Sequence, residues 1–477
     1  MSNLSTSLKK GLAINFVAKY SNIIIQILIN SVLARLLTPS EYGIISVVTI
    51  FIAFFNMLGD MGIGPAIIQY KDLDEDDISS IFIFTFFMGI FLSIIFFAFS
   101  YFIAYIYNSN IYIPIGHLLC FVIILNVLCI VPNNLLLKTK QFKIVGISAL
   151  VSNIISGGIT IVLAYLGFSY YALVFNSIIQ ALINFLILFH FSKVKIKIKR
   201  YSMQPIKRIS NFSIYQFLFN FINYFSRNFD NLLVGKYIGI NQLGYYDKAY
   251  KLMLYPVQNL TFVITPVLQP VLSDYQDDKD IILHYYKKIV KVLALLGVFI
   301  SVFCFFSAKE IILIMFGNQW IGSINTFKIL SISIVFQMIL SSSGSIFQST
   351  GHTDKLFKTG IITTFFTILG IIIGLKLDKI EFVALAILIS FIINFFVAYF
   401  ILIKEVFNKK LISFLLEFRS VAIISLMMII VYKVLHIYIN NIILSFIFKL
   451  SIALISYVIG LFVTKENKLI LKILKRN

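Results

Sequence analysis

The chain has 477 residues, of which 60% are hydrophobic and only 13% charged, and its formal net charge is +20 at pH 7. Ordinary globular proteins contain about 25% charged residues, so a soluble fold could not bury this much apolar surface. Apolar runs of about 20 residues recur along nearly the whole chain, and each can cross a bilayer core as a helix. The sequence therefore predicts an all-α polytopic membrane protein with no soluble domain.

Turns and charges between the apolar runs predict about fourteen transmembrane helices. The first twelve divide into two six-helix lobes, residues 1–200 and 201–405, and residues 406–477 add two helices and a basic tail. The first span has no small-residue cleavage site and is predicted to be a retained helix, not a signal peptide. The predicted spans are 12–36, 42–66, 78–107, 111–135, 144–166, 169–191, 210–236, 244–272, 284–307, 322–348, 357–376, 380–403, 416–435 and 442–463.

Lysine and arginine in short loops resist translocation, and their distribution predicts the orientation. They concentrate at the N-terminus, after spans four, six and twelve, and in the tail, which places both termini in the cytoplasm of a cell membrane. Acidic loops at Asp72 to Asp77 and Asp274 to Asp280 fall on the same, cytoplasmic side. They do not contradict the orientation, because acidic residues contribute little to it. With the basic residues explained by orientation, and with no recognition module present, nucleic acid is not an expected partner.

Polar residues of the first span recur 201 positions later in the seventh. In both spans their steps of four, three, four and four place them on one helical face. The paired residues are Asn15 with Gln216, Lys19 with Asn220, Asn22 with Asn223, Gln26 with Arg227, and Asn30 with Asn231. The same offset relates the turn residues Arg35 to Lys236 and Gly43 to Gly244. This repeat predicts two lobes in the same orientation with a substrate cavity where they meet.

Two interpretations of the polar stripe remain open. Asn and Gln also join transmembrane helices by hydrogen bonds, without lining a cavity. Lys19 and Arg227 favour the cavity, because an unpaired charge at the bilayer centre costs at least about 2.5–3.5 kcal/mol. Lys248 and Lys251 either line the same cavity or extend to the interface.

Two acidic residues are candidates for ion coupling. Asp60 lies among Gly59, Gly62 and Gly64 in the second span, and is either a titrating group or a helix-end residue. Asp230 follows Arg227 by three residues and either couples an ion or forms an intrahelical ion pair. The three cysteines lie within apolar segments without metal-like spacing, so neither a metal nor a cofactor is expected.

Two segments carry a family resemblance: RLLTPSEYG, from Arg35 to Gly43, and RNFDNLLVGKYIGINQLGYYDKAYKL, from Arg227 to Leu252. They resemble the Wzx-type flippases, the polysaccharide transporter branch of the multidrug/oligosaccharidyl-lipid/polysaccharide exporter superfamily. The resemblance implies translocation of a polyprenyl-diphosphate-linked oligosaccharide to the outer leaflet by alternating access, through a cavity built from spans one, two, seven and eight. It also implies glycosyltransferases and a polymerase as partners in surface polysaccharide synthesis, and membrane lipid as the surrounding medium.

The alternatives within this superfamily are a flippase for a peptidoglycan lipid precursor and a multidrug exporter. An exporter of cationic drugs would favour acidic cavity residues, whereas Lys19 and Arg227 make this one basic. A membrane glycosyltransferase or polymerase is a different class, and such enzymes need larger outer loops than the longest here, residues 309–321. A transporter rather than an enzyme is therefore predicted. The chain has no G-x-x-x-x-G-K-[ST] phosphate loop, so transport is expected to be driven by an ion gradient, the concentration gradient or removal of product outside, and not by nucleotide hydrolysis.

Overall fold

The computed structural model describes residues 2–70, 72–198, 201–261, 278–435 and 439–468, together with Leu268, Leu272 and Tyr275. Within these ranges it describes side chains except at residues 2–18, 210–220, 222–223 and 225–227. The regular elements of this part of the chain are helices, and none is a strand. The helices are α1 (Ser2–Leu36), α2 (Pro39–Asp60), α3 (Ile63–Gln69), α4 (Glu75–Tyr107), α5 (Tyr112–Lys138), α6 (Phe142–Tyr165), α7 (Tyr170–Ser192), α8 (Gln204–Tyr237), α9 (Ile240–Thr261), α10 (Lys279–Phe306), α11 (Ala308–Phe316), α12 (Ser323–Leu340), α13 (Ser343–Ser349), α14 (Thr353–Leu375), α15 (Ile380–Phe400), α16 (Leu411–Leu415), α17 (Arg419–Val434) and α18 (Ile442–Val463).

Eleven helical segments of the described chain are long and apolar enough to cross a membrane, with mean hydropathy between 1.7 and 2.7. All eleven coincide with predicted spans, and the chain is therefore a multi-pass helical membrane protein. Three further long helices, α1, α8 and α9, occupy the positions of predicted spans one, seven and eight. These three carry the polar residues of the sequence repeat, so the total of fourteen spans stays a prediction.

The chain divides into two compact units, Met1–Gly244 and Tyr245–Asn477. In the first unit α5 packs against α4 and α7, and α1 packs against α6. Helix α8 also belongs to this unit, because it packs on α2, α3 and α4. The unit thus extends beyond residue 200, where the sequence repeat places the lobe boundary. The repeat lobes, 1–200 and 201–405, are defined by the sequence repeat, whereas the two units are defined by packing. The lobes therefore stay a prediction.

The second unit has a continuous apolar core between α10, α12, α15, α17 and α18. Helix α15 continues into a π-helical turn, Ile401–Val406, before the chain enters the C-terminal helices α16, α17 and α18. Three ion pairs join these C-terminal helices to α10 and α11: Lys287 to Glu417, Lys291 to Glu466 and Lys449 to Glu310. The C-terminal helices are therefore an integral part of this unit.

An acidic helix start and a basic linker meet in the first unit. Asp74 begins α4 with a capping box, and the two residues after it, Glu75 and Asp76, pair with linker lysines. Lys195 lies 3.1 Å from Glu75, and Lys197 lies 2.5 Å from Asp76. The hydrogen bond to Asp76 raises the pKa of Lys197 above its ordinary value and keeps it charged. The acidic loop and the basic linker accordingly lie at the same end of the helix bundle.

This juxtaposition supports a specific topology. Because lysine-rich loops stay in the cytoplasm, reporter fusions at Lys197 and Lys409 are expected to read cytoplasmic, and the acidic loop at Asp74 is expected to read the same. Fusions at Ser109 and Gly317 are expected to read external. Paired alkaline phosphatase and fluorescent protein fusions at each position measure this directly. An external reading at Lys197 would reverse the orientation of the whole chain.

Candidate functional site

The two repeat-related turns pack against each other within the first unit. A Cβ atom added to Gly43 would overlap the carbonyl oxygen of Ile240, and one added to Gly244 would overlap that of Pro39. Pro39 and Ile240 are themselves related by the 201-residue offset. The contact is therefore reciprocal, with each glycine meeting the helix start of the other repeat, as expected around a two-fold axis. Glycine is required at both positions because only a bare Cα permits this approach.

The helix that follows the first turn has a well-defined start. Pro39 occupies its first turn, and the Thr38 hydroxyl accepts a hydrogen bond from the Glu41 backbone N–H while Glu41 accepts from Thr38. The second turn is fixed differently. Lys236 is exposed and donates to the backbone carbonyl of Ile106 at the end of α4. Its repeat counterpart Arg35 is also exposed, at the end of α1.

The described part of the predicted stripe in α1 lies on a partly buried face. Lys19, Asn22, Gln26 and Asn30 are each half-buried, whereas Ile24 and Leu28 are about 60% exposed. The Asn30 amide donates to the backbone carbonyl of Gln26, one turn earlier. The polar face of α1 thus points away from the exposed face that contains Ile24 and Leu28.

Asn22 belongs to a hydrogen-bond network that joins three helices. Its side-chain oxygen accepts a bond of 2.6 Å from the Asn153 amide of α6, and Asn153 in turn accepts one of 2.7 Å from Gln180 of α7. Asn22 therefore joins helices by hydrogen bonds, which is one of the two interpretations left open for the polar stripe. Asn153 and Gln180 did not emerge from the sequence, although an amide within an apolar span is itself a signal of such pairing.

Asp60 ends α2 at a sharp break. Met61 and Gly62 both have left-handed backbone conformations, with φ of 40° and 77°. The Asp60 carboxylate then accepts a hydrogen bond from the Gly64 N–H at 3.2 Å in the first turn of α3. The geometry is that of a helix-end residue bridging a break, the second of the two interpretations, and its role in ion coupling stays a proposal.

The stripe in α8 is described only at its end. Asp230 and Asn231 are 3% and 6% exposed, so a carboxylate and an amide are both buried here. The Asn231 side-chain oxygen has no hydrogen-bond partner within the described residues. The side chains of three predicted site residues lie outside the described part of the chain: Asn220, Asn223 and Arg227.

The two lysines of α9 have different surroundings in the second unit. Lys248 is 6% exposed, and its ammonium lies 5.2 Å from the ring centroid of Phe316 and 5.6 Å from that of Trp320. Lys251 is largely exposed and forms an ion pair of 2.7 Å with the buried Asp247. Lys251 can therefore meet an anion, while Lys248 is covered by aromatic rings.

A buried ion pair in the second unit was not recognised from the sequence. Lys449 of α18 lies 2.7 Å from Glu310 of α11, and both side chains are largely buried. The signal available was a single lysine within an apolar span, which predicts a partner without identifying it.

The described residues hold no group of three or more His, Cys, Asp or Glu side chains placed to bind a metal ion. Cys120, Cys129 and Cys304 are free thiols. The predicted site instead contains amide and ammonium groups, which can bind hydroxyl and phosphate oxygens.

Comparisons with known proteins place this arrangement in context. A family model described as "Polysaccharide biosynthesis protein" matches residues 32–325. An "Uncharacterized membrane protein in cps region" of Klebsiella pneumoniae is 26% identical over 92% of this chain and 91% of its own length. "Lipopolysaccharide biosynthesis protein WzxC" of Escherichia coli is 23% identical over 81% of this chain and 79% of its own. The solved structure "Lipid II flippase MurJ, inward closed conformation" has a TM-score of 0.76, at 16% identity, over 94% of this chain and 98% of its own.

Proposed function

The chain belongs to the polysaccharide biosynthesis protein family, and on that premise we propose that it is a flippase for polyprenyl-diphosphate-linked oligosaccharides. It moves them from the cytoplasmic to the outer leaflet of the cell membrane for the synthesis of capsule, exopolysaccharide or O-antigen. The names of two relatives, which refer to a cps region and to lipopolysaccharide biosynthesis, support a role in the synthesis of a surface polysaccharide. The transport is not an enzymatic reaction.

The observation that carries the proposal is the reciprocal packing of Gly43 and Gly244 against the opposite helix starts. Alternating access in repeat transporters is a rocking of one repeat against the other around a central site. A close contact between repeat-related turns can serve as the point about which the repeats move. The same contact supports the two-lobe organisation inferred from the 201-residue offset.

The substrate chemistry agrees with the charged residues. A diphosphate is recognised by charge-assisted hydrogen bonds, and arginine and lysine supply them most strongly. Lys19 is half-buried in α1, and Lys251 is exposed on α9. We assign the cavity to these residues together with Arg227 and the amides of the stripe, while the lipid tail remains in the bilayer. Asp60 and Asp230 are the candidates for ion coupling, and a polymerase and glycosyltransferases are the proposed partners.

The similarity to the lipid II flippase structure favours a second candidate, a flippase for a peptidoglycan lipid precursor. Both candidates use the same fold and a polyprenyl-diphosphate carrier. The saccharide distinguishes them, and the family match favours a surface polysaccharide.

Gene deletion tests the proposal. We expect the deletion strain to lose its surface polysaccharide and to accumulate the lipid-linked oligosaccharide in the inner leaflet, because flipping precedes polymerisation outside. Surface polysaccharide is measured by immunoblot, and lipid-linked intermediates by mass spectrometry. Restoration of growth in a strain depleted of its lipid II flippase would instead support the second candidate. Unchanged polysaccharide together with failure of that complementation would contradict both.

A further inference from the structure

The buried Lys248 and the partly buried Lys449 contact the two ends of one short helix in the second unit. At the start of α11, Lys449 of α18 lies 2.7 Å from Glu310 and donates a bond of 2.9 Å to the carbonyl of Phe306, the last residue of α10. At the other end, Lys248 of α9 lies against the rings of Phe316 and Trp320. Helix α11 thus connects the C-terminal hairpin, residues 411–463, to a helix of the predicted cavity.

The first contact is well built. The exposed fraction of the side chain is 15% for Lys449 and 7% for Glu310, and Ser445 also donates to Glu310, at 2.8 Å. The ammonium caps the carbonyl end of α10, where a positive charge is favoured by the helix dipole. The Tyr432 hydroxyl of α17 donates to the Lys449 carbonyl at 2.7 Å. Both helices of the hairpin are therefore fixed at this junction.

The second contact is equally enclosed. Trp320 is fully buried, and tryptophan is the aromatic residue that attracts a cation most strongly. The Ser323 hydroxyl donates to the Tyr245 carbonyl at 2.9 Å, and the Tyr245 ring packs closely on Gly322. The first turns of α9 in this unit consequently rest on the segment that follows α11.

We propose that Glu310 and Lys449 are positioning residues for transport, through which the C-terminal hairpin fixes the first turns of α9. The line of contact runs from Lys449 to Glu310, along α11 to Phe316 and Trp320, and then to Lys248. The inference rests on the proposed function, because α9 matters for transport only if Lys251 belongs to the substrate cavity. It assigns the hairpin a role within the transport machinery itself.

The chain offers a matched control. Lys291 of α10 pairs with Glu466 just beyond α18 at 2.6 Å, so it also joins the hairpin to the rest of the unit, but it does not contact α11. Lys291→Ala therefore removes a hairpin ion pair without disturbing the line from Lys449 to Lys248. A purely structural role of hairpin attachment would make the two variants equivalent.

Trp320 is the single tryptophan of the chain, and its fluorescence reports on this junction. In full-length protein in lipid nanodiscs, Lys449→Ala and Glu310→Gln are expected to shift the emission to the red and to increase acrylamide quenching by roughly twofold, because a buried charge loses its partner. Lys449→Arg should retain the parental emission, and so should Lys291→Ala. Surface polysaccharide should fall roughly tenfold in the first two variants only.

Glu310→Gln keeps the side-chain shape and the Ser445 bond, so it provides a folded variant if Lys449→Ala fails size-exclusion chromatography. Parental Trp320 fluorescence in folded Glu310→Gln would overturn the proposal, whatever amount of surface polysaccharide that variant exports. The proposal would also fail if Lys291→Ala changed the fluorescence as much as Lys449→Ala does. The fluorescence requires no transport, so a failure of the proposed function would leave this part of the test intact.

Discussion

Gly43→Ala and Gly244→Ala are each expected to reduce surface polysaccharide by at least about fivefold. The added methyl group would overlap a backbone carbonyl in both cases, Ile240 for Gly43 and Pro39 for Gly244. Backbone cannot move aside as a side chain does, and overpacking of this kind costs about 1–3 kcal/mol. A cost of that size, imposed on one state of a transporter, shifts the population of that state by roughly 5- to 150-fold.

The measurement is surface polysaccharide in a deletion strain that carries each variant, with membrane levels of the protein determined in parallel. Gly158→Ala is the matched control, since this glycine also lies within a helix but a Cβ there would meet no atom within 4 Å. Normal export by well-expressed Gly43→Ala would show that the two helix starts can separate without loss of function. The proposal that the reciprocal contact carries alternating access would then fail.

The apolar helices could be predicted from the sequence because the bilayer fixes their length and composition. Runs such as 78–107 and 442–463 were predicted within a few residues, since their hydropathy is uniform and their ends are marked by charge or turns. Breaks within spans were harder to predict, and an end of the helix at Asp60 was only one of two open interpretations. The separation of α2 from α3 at Met61 depends on local left-handed conformations, and the separation of α12 from α13 occurs within a run of serines.

The site was predictable only as a pattern on single helices. Helical periodicity identifies Asn22, but its partner Asn153 lies 131 residues away. Glu310 and Lys449 are 139 residues apart. In the sequence Lys449 looks like an isolated charge, and Glu310 has Lys309 beside it as a more obvious partner. The resemblance to the polysaccharide transporter branch is confirmed at the level of family and fold. It could be recognised from the sequence because it depends on local motifs and on helix order, and not on pairs of distant residues.

Arg227→Ala is expected to abolish nearly all export, and Arg227→Lys to lose much of it. Arg227 shares the polar-stripe spacing of the sequence in α8, and we propose that it supplies, with Lys19, the positive charge that a diphosphate or an acidic sugar requires. Charge-assisted hydrogen bonds contribute about 1.5–3 kcal/mol each, so the loss of two predicts a fall of at least roughly 100-fold. Lysine retains the charge but not the planar pair of donors.

Arg208→Ala is the control on the same helix, because the exposed ion pair between Arg208 and Asp72 contributes little to stability.

The competing role for Arg227 is an intrahelical ion pair with Asp230, three residues further along α8. Asp230 is only 3% exposed, so removing a positive neighbour would leave a buried carboxylate and destabilise the helix without any effect on substrate. The double variant Arg227→Ala with Asp230→Ala separates the two roles, since it removes both charges together. If Arg227 binds substrate, the double variant stays inactive at normal membrane levels. Restored export in the double variant would assign Arg227 to the scaffold of α8, and full export by well-expressed Arg227→Ala alone would remove it from the site altogether.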